Sequence, residues 1–270
     1  MNRIIELRQY TLKPGARDTL IELFEREFVE SQEAVGMDVI GTFRDADNPD
    51  RFAWLRGFAD MESRARALAT FYSGPVWKEH RGAAVATMED TDNVLLLRPA
   101  WSGSGFSVGG TRAPCGASDL PGYCVIAAIC HFDQAVPESF IESFRKLMPQ
   151  HCEAAGAELI AALESESSAN TYPALQCARA SRSSSGSCTF PTRRPRAPFR
   201  FRPNLSDSCR SRWSSCDCAL PPARDDRVRV QCYEGERRKL PRPRLVGTFN
   251  AVDYYLMLTF AIGWTGDCHC

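Results

Sequence analysis

Cysteine is absent from residues 1–114, although the 270-residue chain holds 12. Four lie from Cys115 to Cys152 and the other eight after position 176. Clusters of this kind can mark a disulfide framework or a metal site. The tightest pairs, Cys216/Cys218 and Cys268/Cys270, are not Cys-x-x-Cys units with a matching second half, so no metal is expected. An excess of charge of either sign is also lacking: 33 Lys and Arg balance 33 Asp and Glu. That removes the global electrostatic footprint of a nucleic-acid or anionic-membrane binder. The short basic groups Arg193-Arg194 and Arg237-Arg238-Lys239 do not restore it. Long apolar runs are missing as well. The segment Tyr254–Trp264 falls short of the roughly 20 residues a spanning helix needs. The opening MNRIIELRQY lacks the apolar core of a signal peptide and the Arg/Ser bias of a transit peptide. A cytoplasmic location without a membrane span is the expectation. Finally, there is no Gly-x-Gly-x-x-Gly, Walker loop, Gly-x-Ser-x-Gly or His-Glu-x-x-His. No cofactor is expected and no residue is assigned as catalytic.

What is present is hydrophobic periodicity. Residues 3–12 alternate as a strand, with Ile5 and Leu7 on one face and Glu6, Arg8 and Tyr10 on the other. Lys13-Pro14-Gly15 makes a turn. Residues 16–35 carry Leu20, Leu23, Phe24 and Phe28 at helical spacing, and Gly36 is placed to stop the helix. Strands come next at 38–44 and 51–58, separated by the turn-rich Asp45–Asp50. The second of these carries Phe52, Trp54, Arg56 and Phe58 on one face. Helical patterns at 61–72 and 76–88 flank Gly74-Pro75, and 93–99 is a further strand. The order β-α-β-β-α-β predicts an α+β fold built on a ferredoxin-like unit.

Residues 101–121 are rich in Gly, Ser and Pro, the composition of a linker. The pattern then restarts. At an ungapped offset of 120, Ile21 meets Ile141, Glu22 meets Glu142 and Phe24 meets Phe144. Gly36 meets Gly156 and Ile40 meets Ile160. The matches span a helix, a turn and a strand, which reads as an internal duplication. Its helix, 137–155, is amphipathic, with Phe140, Phe144 and Leu147 expected on one face.

The second copy breaks off. Residues 176–224 are dominated by Arg, Ser, Pro and Cys without strand or helix periodicity. A disordered tail is one reading. A change of coding frame near Pro173–Cys177 is the favoured one. Read one base out of register, Gln176–Thr192 can encode an aromatic and aliphatic strand with a Trp, followed by Phe-x-Asp. Asp47–Asp60 has that pattern. The expected organisation is therefore a first domain at 1–100, a linker at 101–121, half of a second copy at 122–172, and a non-native or disordered, irregular segment at 173–270.

The first hundred residues resemble the NIPSNAP family. The likeness rests on Arg8-x-Tyr10, Leu12-x-Pro14-Gly15, Gly41-x-Phe43, Trp54 followed by Gly57-Phe58-Ala59-Asp60, Arg64, and Pro75-x-Trp77 before a basic stretch. The resemblance implies a dimeric α/β-barrel, in which two ferredoxin-like sheets close on each other. It implies no particular reaction.

A ferredoxin-like unit covers one sheet face with its helices and needs a partner for the other. A homodimer through the open face, or pairing of the two repeats, is expected. With the second copy cut short, pairing between two chains is favoured. Arg8, Tyr10, Trp54 and Arg56 are expected on that open face, with Trp77 and His80 nearby as further ligand-cleft candidates. Two arginines beside aromatic rings suit a small apolar or anionic ligand. The plainer reading packs Trp54 in a core and pairs the arginines with Glu6. Two functions are compatible with this pattern. One is a non-catalytic binding dimer for a small molecule or a protein. The alternative is a cofactor-independent barrel enzyme, of monooxygenase or isomerase type, acting on a small aromatic or apolar substrate.

Overall fold

The computed structural model describes residues 2–45, 47–107, 123–132, 136–154, 157–175 and 177, and the backbone of four further strand segments. Residues 108–122 and most of 178–270, the greater part of the segment expected to follow the frame change, lie outside the described residues; Cys177, the first of the eight late cysteines, is described, half-buried and free.

The first unit has the expected order. Strand β1 (Ile4–Leu12) leads through a left-handed Gly15 (φ 74°) into helix α1 (Arg17–Leu23). A π-helical turn at Phe24–Phe28 interrupts the helix before it resumes as α2 (Val29–Glu33). The extra residue of such a turn rotates the helix beyond it about its axis, and here Phe24, Phe28, Val29 and Gln32 are all buried. Gly36 ends the helix with φ of 90°, a conformation disfavoured for residues with a Cβ. Strands β2 (Asp38–Asp45) and β3 (Arg51–Phe58) form a hairpin. Helix α3 (Met61–Ser73) starts at Asp60, whose carboxylate accepts from the Ser63 N–H, a regular N-cap. Gly74 ends it, and Pro75 opens α4 (Pro75–Ala86). The short β4 (Met88–Asp90) and β5 (Val94–Pro99) complete the unit.

Beyond the linker come β6 (Tyr123–Phe132), α5 (Glu138–Ala154) and β7 (Ala157–Ser165). Helix α5 buries Phe144, Met148 and Cys152, spaced by four, while Leu147 is exposed. The remaining segments are β8 (Arg200–Phe201), β9 (Cys218–Ala219), β10 (Val228–Gly235) and β11 (Tyr254–Gly263).

Every pairing among the described residues is antiparallel. The main sheet runs β3-β2-β10-β6-β11-β7-β5-β1, and β1 pairs back to β3, so the ladder closes on itself. Two seams join the first unit to the rest: β2 with β10 and β5 with β7. The fold is α+β, with a ferredoxin-like unit whose sheet curls into a barrel.

Period-2 alternation then fixes two separate cores. Ile5, Leu7, Leu55, Leu95 and Leu97 face the barrel interior and pack with Ala127, Ile129, Ala161 and Leu163. Ile4, Tyr10, Phe52, Trp54 and Phe58 face the helices, against Leu20, Phe24, Phe28, Leu68 and Phe71. This corrects the expected placement of the candidate residues. Arg8, Tyr10, Trp54 and Arg56 lie under the helices, because the barrel interior takes the aliphatic set.

Candidate functional site

The register of β1 against β3 builds the site. Ile4 sits opposite Phe58, Glu6 opposite Arg56, Arg8 opposite Trp54 and Tyr10 opposite Phe52. All eight side chains are buried. Glu6 is the hub. Its Oε2 lies 2.8 Å from Arg56 Nε, 2.7 Å from Arg56 Nη2 and 3.2 Å from Arg8 Nη1. Its Oε1 accepts from Nε of Arg64, which descends from α3, at 2.6 Å. Three guanidiniums thus surround one carboxylate, and all four groups are almost wholly out of solvent. Among the described residues Glu6 is the only carboxylate ion-paired with these arginines. The cluster carries a net charge of +2.

Aromatic and polar neighbours hold the cations in place. The Arg56 and Arg8 guanidinium carbons lie 5.0 and 5.9 Å from the Trp54 ring centroid, within cation–π range. Arg8 Nε donates to the Tyr10 hydroxyl at 2.9 Å. Arg56 Nη1 donates to Gln32 Oε1 at 3.0 Å, and Gln32 Nε2 donates to the Phe28 carbonyl at 3.0 Å. The π-helical turn therefore ends on the residue that orients Gln32 towards the cluster. Two donors are left over. Trp54 Nε1 is buried without an acceptor, and Arg56 Nη2, although close to Glu6, makes no contact with hydrogen-bond geometry.

Electrostatics are set by this arrangement. Burial raises the Glu6 pKa, but Arg56, Arg8 and Arg64 more than reverse it, and the carboxyl is held down at about 2. Burial opposes the charge on Arg8 and Arg56, yet both are raised above the usual guanidinium value, Arg8 by Tyr10 and Glu6, Arg56 mainly by Glu6. Burial pushes the Tyr10 phenol up, so it stays neutral.

The six candidate residues do not form a single cleft. Arg8, Tyr10, Trp54 and Arg56 come together. Trp77 packs beside them on Tyr72, Phe71 and Phe28, with ring centroids 4.9, 5.8 and 5.5 Å away. His80 lies further out. Its Nε2 is 3.4 Å from Glu27 on the π turn, and its ring is against Phe28. Sequence reasoning under-read Glu6, treated only as a salt-bridge partner, and Arg64, noted only as a family feature. It missed Gln32, Asn170 and Thr171. The alternation that puts Glu6 with Arg8 on one face, and the hairpin that sets Arg56 opposite, were signals for the first. The contacts of Asn170 and Thr171, some hundred residues from Arg64, left no local signal.

Those two residues belong to a segment that leaves β7 at Glu166 and crosses α3. Asn170 Oδ1 and Thr171 Oγ1 accept from Arg64 Nη1 at 3.0 and 3.2 Å. Among the described residues, no group of three or more His, Cys, Asp or Glu is placed to hold a metal ion, and no helix is long and apolar enough to cross a membrane.

Comparison with known proteins gives one family. Residues 5–103 match the NIPSNAP family model. No curated protein matches the chain. Solved structures do. A NIPSNAP-like domain protein from Burkholderia xenovorans is 27% identical, with a TM-score of 0.34, covering 43% of this chain and 97% of its own. A NIPSNAP family protein of unknown function from Agrobacterium tumefaciens is 22% identical, with a TM-score of 0.34, covering 36% and 88%. A protein from Lactobacillus acidophilus described as a candidate monooxygenase is 16% identical, with a TM-score of 0.41, covering 61% and 70%.

Proposed function

Because residues 5–103 are a NIPSNAP domain, with its polar residues gathered under the helices, we propose that this chain binds a small organic anion at the Glu6–Arg8–Arg56–Arg64 cluster. The observation that carries the reading is the buried charge of +2 around a single carboxylate. Each unpaired buried ion costs several kcal/mol. An anionic ligand offsets that cost, and the leftover donor Trp54 Nε1 matches an acceptor oxygen. The second copy supports this. At the same offset of 120, Ile126 and Ala128 take the places of Glu6 and Arg8, and both are buried. A β-strand in that position does not need charges to pack.

The packed barrel interior favours the binding reading over the cofactor-independent enzyme. The aliphatic side chains of β1, β3 and β5 meet those of β6 and β7 there. The same contact supports pairing within one chain over a homodimer through the open face.

The test is titration of the full chain with benzoate, acetate and inorganic phosphate, followed by calorimetry and thermal unfolding. At ten times its Kd a ligand adds about 1.4 kcal/mol to stability. Arg56→Met lowers the cluster charge to +1, keeps the side-chain volume and is expected to fold, but to lose the ligand-dependent shift. His80→Ala is expected to retain it. Binding that survives Arg56→Met, or absence of binding at millimolar concentrations both in the native chain and in a variant relieved of the Asn170 and Thr171 contacts to Arg64, overturns the proposal.

A further inference from the structure

The segment 166–175, here called the strap, is anchored on Arg64 of the cluster. Glu166 N–H donates to the Leu96 carbonyl at 2.9 Å, fixing its root beside β5. Asn170 then makes a local turn. Its Oδ1 accepts from the Tyr172 N–H at 3.0 Å and its Nδ2 donates to the Leu175 carbonyl at 2.7 Å. That leaves Oδ1 facing Arg64 Nη1 and fixes the amide orientation. Thr171 Oγ1 bonds the same nitrogen and donates to the Met61 carbonyl at 3.0 Å. Two residues after Asn170, the Tyr172 ring stacks on Tyr72, with centroids 5.9 Å apart and an interplanar angle of 19°. Tyr72 itself packs against the core that holds Tyr10, Trp54 and Phe71. Ser167, Ser168 and Ala169 are exposed.

The strap therefore offers the cluster two things: neutral oxygen acceptors on a buried guanidinium and a flat ring on Tyr72. An aromatic carboxylate offers the same two groups, but with the charge the cluster lacks. The strap meets the Arg64 guanidinium with neutral oxygens; a carboxylate adds the opposite charge and a bidentate grip, so such a ligand outcompetes the strap at Arg64. We infer that the strap is a built-in pseudo-ligand, with Asn170, Thr171 and Tyr172 holding the Arg64–Tyr72 position until an aromatic carboxylate displaces them. This rests on the anion-site reading and adds the ligand class and a self-competing cover to it.

Two strap variants of the full chain separate the possibilities, with benzoate as the probe. Asn170→Ala combined with Thr171→Ala removes both acceptors, and the benzoate affinity is expected to rise roughly tenfold. Asn170→Asp puts a carboxylate on the strap itself. That carboxylate takes up Arg64 in place of a ligand, and benzoate affinity is expected to fall at least roughly tenfold. Equal benzoate affinity in the native chain and both variants overturns the strap inference while leaving the anion site standing. Failure of benzoate to bind any of the three, the acceptor-free variant included, removes the anion site and the strap inference together.

Discussion

Replacing Glu6 by Gln tests the electrostatic account of the site most directly. The substitution keeps the shape of the side chain and removes the one negative charge among three buried guanidiniums. The carboxyl pKa is lowered from 4.5 to about 2. At about 1.36 kcal/mol per unit, that difference is worth about 3 kcal/mol of folding stability near neutral pH. Removing one partner from a buried ion pair costs a similar amount, about 3–5 kcal/mol. For a chain of this size the loss lowers Tm by roughly 10 °C. The sign of the pH dependence is fixed by the direction of the shift. A depressed carboxyl pKa stabilises the fold above the unfolded value of 4.5 and loses that contribution as pH falls towards 2. Urea unfolding of both proteins, followed by circular dichroism from pH 7 to pH 2, reads the difference. It should be about 3 kcal/mol at pH 7, constant down to about pH 5, and vanish towards pH 2, where Glu6 itself becomes neutral. A variant within 1 kcal/mol of the native protein at pH 7, or a difference that does not shrink on acidification, refutes the reasoning.

Other expectations rest on separate features. Leu97→Ala opens a hole in the barrel interior, where Leu97 is fully buried between Leu163 and the β1 side chains; a loss of about 2–5 kcal/mol in chemical denaturation is expected. Gly36→Ala forces a Cβ into a left-handed position and should cost about 1 kcal/mol by the same measurement. The proposed frame change is checked on the gene. The nucleotide sequence behind Gln176–Thr192, read one base out of register, should encode an aromatic strand ending in Phe-x-Asp, and a stop codon or polar stretch there refutes it.

The first unit was legible because its periodicities are unmixed. The alternation of Ile5 and Leu7 with Glu6, Arg8 and Tyr10 assigned the faces of β1 correctly, and Gly36 and Gly74-Pro75 marked helix ends. Which face lay under the helices was not legible. Binary patterning sends charges away from the core, so Glu6, Arg8 and Arg56 were expected on the open side. A barrel buries both faces. The interior claims the purely aliphatic set, and the charged set is buried on the other side by pairing with itself. The π-helical turn at Phe24–Phe28 was hidden for a different reason: apolar spacing of three and four fits a regular helix equally well. The strap contacts depend on closure of the sheet, which no local pattern encodes.

That closure has a consequence for how the chain comes to be. The strand between β6 and β7 is β11, and β6's other neighbour is β10. Neither is made until most of the polypeptide has left the ribosome. Until then β2 and β6 present unpaired edges, which are templates for joining other chains. The ring is sealed by pairings of very distant residues, the slow kind of contact in folding. Truncation within the last third, or anything that delays its arrival, should therefore show first as self-association of nascent chains, before any loss at the arginine cluster.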